Sequence, residues 1–288
     1  MKIRIIFAVL AAFYSAASVI ATQLHVTFGV VSEQNRRPYQ EDKFTHVVME
    51  GPTSLNTSQD TAKLRRASNF FGIYDGHGGD NVSSFLQQHV HNYLIGPFFT
   101  MKQACEHAFL KAEQHVLNNY TDGSTALMAF IDHNNIAHFA WAGDTRAVLE
   151  KNGAVAFATK DHKPNESQEL ARIKKCGGCV EKYGVYRVGG LAVSRSLGDA
   201  DIKKGYPGQV IAVPEYTKIQ LTEDNQCMIL ASDGLWDVIS NEEAVEIAHT
   251  IMQWCCNVDF IAEYLKDEAI KRGSLDNITI CVVRFDWK

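Results

Sequence analysis

Asn69-Phe-Phe-Gly-Ile-Tyr74 runs straight into Asp75-Gly76-His77-Gly78-Gly79, and Cys227-Met-Ile-Leu-Ala-Ser232 runs straight into Asp233-Gly234-Leu-Trp-Asp237. Each is an apolar run of strand length that stops at an Asp-Gly pair, where glycine lets the backbone turn without a Cβ clash. Further β-like runs span His25 to Ser32, Phe44 to Met49, Thr125 to Ile131, Ile136 to Ala142, Arg146 to Lys151 and Asn277 to Phe285. Turns of hairpin length, Asp132-His-Asn-Asn135 and Gly143-Asp-Thr145, join several of them and favour antiparallel pairing. Helical periodicity falls in separate blocks: Val82 to Leu94, residues 101–118, a segment expected to start at an Asn165 cap and stop before Gly177, one after Ser240, and one from about Val258 to Arg272. Ser240 with Glu243 three residues on reads as a capping box. Strands in meanders and helices in adjacent blocks predict an α+β fold, with helices covering antiparallel sheets, and argue against a doubly wound parallel sheet.

The 288 residues are 46% hydrophobic, enough to build a full core, which excludes general disorder. Length alone leaves one domain and two equally open. With 28 Lys+Arg against 33 Asp+Glu the net charge is −5, without the basic excess that binding a nucleic-acid backbone normally requires. No nucleic-acid partner is expected. Six prolines and no Gly/Ser tract leave no obvious flexible linker.

Met-Lys-Ile-Arg followed by an uncharged run from Ile5 to Ala21 has the pattern of a secretory signal peptide, with Val19-Ile20-Ala21 offering a cleavage site before Thr22. A retained signal anchor is the alternative, although the run is shorter than the roughly 20 apolar residues that span a bilayer. The resulting expectation is a secretory-pathway or secreted protein, with a cytoplasmic or membrane-anchored one as the alternative, and membrane contact only if residues 1–21 are retained. Seven cysteines, at 105, 176, 179, 227, 255, 256 and 281, are an odd number and too sparse for a disulfide framework. Cys176-Gly-Gly-Cys179 has CxxC spacing, but without a second pair or paired histidines a zinc site is a weak expectation beside ordinary thiols or a local disulfide. Five sequons, at Asn56, Asn81, Asn119, Asn165 and Asn277, would meet the glycosylation machinery on a eukaryotic secretory route.

The acidic residues repeat one placement. Asp75 and Asp233 end strands, Asp276 precedes one, Glu41-Asp42 stand just before another, and Asp144 occupies a hairpin turn. Any single Asp-Gly reads as a turn signal. Repeated at several strand ends, such carboxylates can converge on one edge of a sheet core, where mutual repulsion would raise their pKa values unless a cation is present. Oxygen-only donors point to Mg²⁺ or Mn²⁺ in preference to zinc.

At these residues the sequence resembles a family. Arg37-Pro-Tyr-Gln-Glu41-Asp42, Phe71-Gly-Ile-Tyr-Asp75-Gly-His-Gly-Gly79, Gly123-Ser-Thr-Ala126, Ala142-Gly-Asp144-Thr-Arg146, Asp161-His-Lys-Pro164, Gly190-Leu-Ala-Val-Ser-Arg-Ser-Leu-Gly-Asp199, Ala231-Ser-Asp233-Gly-Leu-Trp-Asp237 and Asp276-Asn277 follow one another as in the metal-dependent serine/threonine protein phosphatases of type 2C. The resemblance covers about Leu24 to Phe285. It implies a single four-layer αββα domain over residues 22–288, a monomeric catalytic unit, two antiparallel sheets flanked by helices, and a binuclear Mg²⁺/Mn²⁺ centre. By position, Asp75 bridges both ions and the Gly76 carbonyl contacts one of them. Asp233 and Asp276 ligate the other, Glu41 and Asp42 act mainly through bound waters, and Asn277 supports Asp276. Asp144 and Asp237, with Asp233, match a third, weaker metal site. Arg37 matches the arginine that grips the substrate phosphate with a two-pronged guanidinium, and His77 the acid that protonates the leaving serine or threonine oxygen.

The implied reaction is hydrolysis of phosphoserine or phosphothreonine in phosphoprotein substrates by direct attack of a bridging metal-bound hydroxide. The alternatives are a weak or inactive relative acting as a binding or scaffold protein, against which the complete acidic set stands, and a two-metal nuclease, against which the charge balance stands. Residues of about 160–208 correspond to the flap beside the active site, and Cys176 and Cys179 depart from the family pattern there. Residues 51–67 form a polar insertion leading into Lys63-Leu-Arg-Arg-Ala-Ser68, which resembles a basophilic-kinase target beside its reading as a solvated basic loop. Removing residues 1–21 leaves 26 basic against 33 acidic residues, and seven of the acids are those assigned to the metal centre.

Overall fold

The computed structural model describes residues 24–49, 68–96, 98 and 100–288. The expected signal segment and the whole 51–67 insertion, with the Asn56 sequon, lie outside the described residues. Two five-stranded antiparallel sheets form the centre. One runs Leu24–Glu33, Ile278–Trp287, Cys227–Ala231, Arg146–Lys151, Ala154–Ala158, and the other Glu215–Gln220, Ile136–Ala142, Ala126–Ile131, Ser68–Tyr74, Lys43–Met49.

Alternation along the strands sorts the side chains into three apolar layers. Phe71, Ile73, Leu127, Phe139, Leu149, Met228, Leu230, Cys281 and Val283 meet between the sheets. Phe70, Tyr74, Met128 and Phe130 point outward onto the helices Asn81–His89 and Met101–Asn119. Cys227, Ile229, Ile278, Ile280 and Val282 pack against Asn241–Met252 and Val258–Lys271. The result is the expected α+β arrangement in four layers, αββα. Among the described residues, no helix is long and apolar enough to cross a membrane.

Helix boundaries follow local chemistry. Ser240 accepts from the Glu243 N–H and the Glu243 carboxylate accepts from the Ser240 N–H, as the capping box requires; Thr100 and Gln103 make the same reciprocal pair. The expected Asn165 cap is corrected. The helix is Ser167–Lys175, and Glu166 is its cap, its carboxylate accepting from the Gln168 N–H at 2.9 Å. Within the two central sheets, two strands escape the sequence patterns, Ala154–Ala158 and Glu215–Gln220. Both are edge strands; the first is alanine-rich, and the second carries the exposed charged and polar side chains that protect a sheet edge. Ser68 heads its strand in register with Met49.

Between the strands, residues 160–208 carry the helix Ser167–Lys175 and the hairpin Glu181–Tyr183/Val185–Arg187. They have a small apolar centre of their own, Ile173 and Val188 with Val210. Glu169 ties this segment down, accepting from Arg195, Arg172 and Ser194. All seven cysteines are free; Cys105, Cys227 and Cys281 are buried, and Cys176 and Cys179 are exposed.

Leu230 is fully buried between the sheets and Leu110 is largely exposed on its helix. Leu230→Ala is expected to lower unfolding stability by about 2–5 kcal/mol. Leu110→Ala should stay within about 0.5 kcal/mol. Urea denaturation followed by circular dichroism checks both.

Candidate metal centre

The strand ends gather the acids at one edge of the sandwich. Asp75, Asp144 and Asp233 each bring a carboxylate oxygen within 4.8 Å of the others. Asp75 leaves the strand Ser68–Tyr74 and is fixed through its backbone, its N–H donating to Thr125 Oγ1 at 3.2 Å and its carbonyl accepting from the Thr125 N–H at 2.9 Å. Thr125 Oγ1 in turn shares a 2.6 Å hydrogen bond with Thr145, beside Asp144. Asp144 sits in the turn after Gly143, whose φ of 118° suits glycine. Gly143 N–H donates to His162 Nδ1 at 3.1 Å. Arg146 closes the same turn, forking onto Asp161 at 2.9 and 2.7 Å and lying 5.2 Å over the Trp236 ring.

The remaining acids form a second tier. Asp42 is buried; its Oδ2 accepts from Ser232 Oγ at 2.7 Å, while its Oδ1 has no hydrogen-bond partner. Glu41 Oε1 accepts from the Gly79 N–H at 2.7 Å. Asp237 follows one helical turn from Asp233, donating its N–H to the Asp233 carbonyl. Asp276 Oδ2 pairs with Arg37 Nη2 at 2.5 Å, and its Oδ1 accepts from the Asn277 N–H at 2.8 Å. Two glycines are dictated by close backbone approach. A Cβ on Gly76 would lie 2.7 Å from the Glu41 carbonyl oxygen, and one on Gly234 would lie 2.0 Å from the Asn277 carbonyl oxygen.

Electrostatics follow from this crowding. Burial, then Asp42, Asp233, Asp144 and Asp276, push Asp75 well above the ordinary carboxylate range. Burial followed by Asp144, Asp237 and Asp276 does the same to Asp233, opposed by Lys163. Burial raises Asp42 from its ordinary 3.8 to about 6. Burial works against the charge on Arg37, but Asp276, then Asp233 and Asp75, outweigh it and raise its pKa. An all-oxygen donor set, an orphaned buried carboxylate oxygen and mutual repulsion together suit a hard divalent cation.

Of the residues expected from sequence, Asp75, Asp144 and Asp233 converge most closely, and Asp144, assigned to the weaker third position, stands among these three. Arg37 and Asp276 meet each other. Asn277 is buried and braces the loops: its Oδ1 accepts from the Glu41 N–H at 2.9 Å, and its Nδ2 donates to the Gln34 and Tyr39 carbonyls. Its sequon therefore has no free amide for a glycan, whereas Asn81, Asn119 and Asn165 are exposed. Sequence reasoning assigned no role to two further residues inside the quoted motifs. Lys163 donates to Asp144 Oδ2, and Asp199 holds His77. The only signal for either was its place in a motif.

An acid whose pKa is raised on folding holds its proton more tightly in the folded chain, so stability falls as pH rises through that window. For Asp42 the window runs from 3.8 to about 6. The metal-free protein should therefore lose thermal stability between pH 4 and pH 7, and Asp42→Asn should reduce that loss while leaving pH 4 stability similar. Differential scanning fluorimetry in EDTA checks this; the same slope in both proteins would contradict it.

Comparison with known proteins agrees with this geometry. The family model described as Protein phosphatase 2C matches residues 34–278. Probable protein phosphatase 2C 76 of Arabidopsis thaliana is 39% identical over 227 residues, 75% of this chain and 51% of that protein. Probable protein phosphatase 2C member 13, mitochondrial, of Oryza sativa subsp. japonica is 39% identical over 231 residues, 76% of this chain and 61% of that one. The chain thus spans about half to three-fifths of the length of these relatives. Among solved structures, serine-threonine phosphatase 2C from Toxoplasma gondii superposes with a TM-score of 0.73 at 27% identity, covering 90% of this chain and 94% of that one. A second phosphatase, from a pathogenic strain of Toxoplasma gondii, reaches 0.76 at 21% identity, covering 92% and 99%, and shares the fold. With its acidic edge and αββα architecture, the chain belongs to the protein phosphatase 2C family.

Proposed function

We propose that this protein is a metal-dependent serine/threonine phosphatase acting on phosphoproteins. The observation that carries this reading is the convergence of Asp75, Asp144 and Asp233 within 4.8 Å, with Arg37 paired to Asp276 and His77, two residues from Asp75, paired to Asp199. Asp75, the Gly76 carbonyl, Asp233 and Asp276 would hold two ions of the Mg²⁺ or Mn²⁺ type, with Glu41 and Asp42 behind them and Asp144 and Asp237 serving a third. Such a pair of ions supplies Lewis-acid charge to the phosphate and makes a water nucleophilic near neutral pH.

The chain's own residues do the rest. Arg37 is half-exposed and anchored by one nitrogen to Asp276, leaving other N–H donors of its fork for phosphate oxygens. His77 is partly exposed, and although burial works against its charge, the Asp199 hydrogen bond and charge raise its pKa. A protonated imidazole can then deliver a proton to the alkoxide that leaves as the P–O bond breaks. Asn277 keeps Glu41 and the Arg37 loop in register with Asp276. The N-terminal pattern of residues 1–21 supports a secretory route for the protein.

The test is turnover of a phosphothreonine peptide by the full chain with Mn²⁺, with EDTA, and as Asp233→Asn. Activity is expected with Mn²⁺ and not with EDTA, and Asp233→Asn should lose at least about 100-fold. Turnover in EDTA, or full activity of the variant, would defeat the mechanism. Glycopeptide mapping of active enzyme from a eukaryotic secretory host is expected to find Asn277 bare.

A further inference from the structure

His77 is gripped from the side. Both carboxylate oxygens of Asp199 lie at 2.9 and 3.0 Å from His77 Nε2. The Asp199 side chain is 5% exposed against 30% for His77, so the acid is the buried, fixed member of the pair. It is fixed from several directions. Its backbone is left-handed at φ 55°, a region uncommon outside glycine that aspartate and asparagine enter more readily than other residues. Its N–H donates to the Asp122 carbonyl at 3.0 Å, and Ser196 Oγ donates to its Oδ2 at 2.5 Å. Asp122 itself accepts from the N–H groups of Asn81 and Val82, the start of the helix that follows the His77 loop.

A three-stranded ribbon brings the two residues together: Leu197–Gly198 and Gly76–His77 flank Gly123–Ser124. At its centre, a Cβ on Gly123 would lie 2.3 Å from Asp199 Oδ2 and 2.4 Å from His77 Nε2. The absence of a side chain at 123 is what leaves room for the pair. Such local strain and exclusion are features that structures maintain at sites where a side chain's direction matters.

We propose that Asp199 is the positioning residue for His77, occupying Nε2 so that Nδ1 is the nitrogen presented to the substrate's leaving oxygen. The inference rests on the reading of His77 as the acid. In the step it serves, a water oxygen forms the new bond to phosphorus and the P–O bond to serine or threonine breaks. The electron pair of that bond goes to the leaving oxygen, which takes the Nδ1 proton. The proton released by the water returns to the imidazole through solvent, so ester and water give alcohol and phosphate. A carboxylate on Nε2 fixes both ring direction and tautomer, the arrangement by which a buried acid orients a catalytic imidazole elsewhere.

The test uses the full chain with Mn²⁺ and two substrates, a phosphothreonine peptide, whose alkoxide needs a proton, and p-nitrophenyl phosphate, whose phenolate hardly does. Asp199→Asn and Asp199→Gly both tolerate the left-handed backbone, and His77→Ala is the reference. Each Asp199 variant is expected to lower kcat on the peptide about 10–100-fold further than on the aryl phosphate, less than the roughly 100–10,000-fold that general acid catalysis itself contributes because the imidazole remains. The double variant His77→Ala/Asp199→Asn should be no worse than His77→Ala. In the metal-free protein, ¹⁵N spectra should show His77 protonated at Nε2, and Asp199→Asn should disturb that signature. Equal losses on both substrates, or none, while His77→Ala still discriminates between them, would overturn the role of Asp199 alone. Failure of His77→Ala to discriminate would overturn the acid reading and this inference with it.

Discussion

Repulsion among buried and half-buried carboxylates is the constraint around which this molecule is organised. Asp75, Asp144 and Asp233 approach within 4.8 Å while Asp42 lies buried with an oxygen unpartnered. Left alone, such a cluster favours protonation or separation of the loops that bear it. The αββα core opposes separation because each acid sits at the end of a strand whose side chains fill a packed layer. Moving Asp75 means moving Phe71, Ile73 and Tyr74, all fully buried. The tension is relieved electrostatically instead, in part by Lys163 beside Asp144 and Arg37 beside Asp276.

The surrounding hydrogen bonds can be understood as bracing against the same force. Thr125 and Thr145 link the Asp75 and Asp144 turns, Ser232 links Asp42 to the strand leading into Asp233, and Asn277 links the Glu41 and Asp276 segments. Each brace joins two acid-bearing loops that are distant in sequence. Glycines 76 and 234 allow those loops to approach until backbone nearly touches backbone. These braces join the acid-bearing loops through contacts that need no cation, which favours binding with little reorganisation.

Much of this was legible from residues alone. The strands of the two sheets' interior announce themselves because their apolar side chains are continuous, and the capping box at Ser240 because its chemistry is local. The edge strand Glu215–Gln220 was not legible, since its polarity serves the sheet edge and only pairing with Ile136–Ala142 makes it a strand. The Asn165 cap failed for a related reason: Asn165 and Glu166 are both competent acceptors, and only backbone placement chose Glu166. Within the site, the acids were found by their position at strand ends, and their assigned roles came from family resemblance. Asp199 and Lys163 lay in the quoted motifs, but their partners are 122 and 19 residues away, and no local pattern joins them.

Calorimetric titration of Mn²⁺ into the metal-free full chain near pH 6.5, in two buffers of different ionisation enthalpy, measures most directly whether the acidic cluster takes up cations. Saturable binding of two ions is expected, with proton release that grows as pH falls towards 6, because burial raises Asp42 to about 6 and burial with mutual repulsion holds Asp75 and Asp233 above the ordinary carboxylate range; Asp75→Asn should lose that binding. No saturable binding, or binding that Asp75→Asn leaves unchanged, would contradict that expectation.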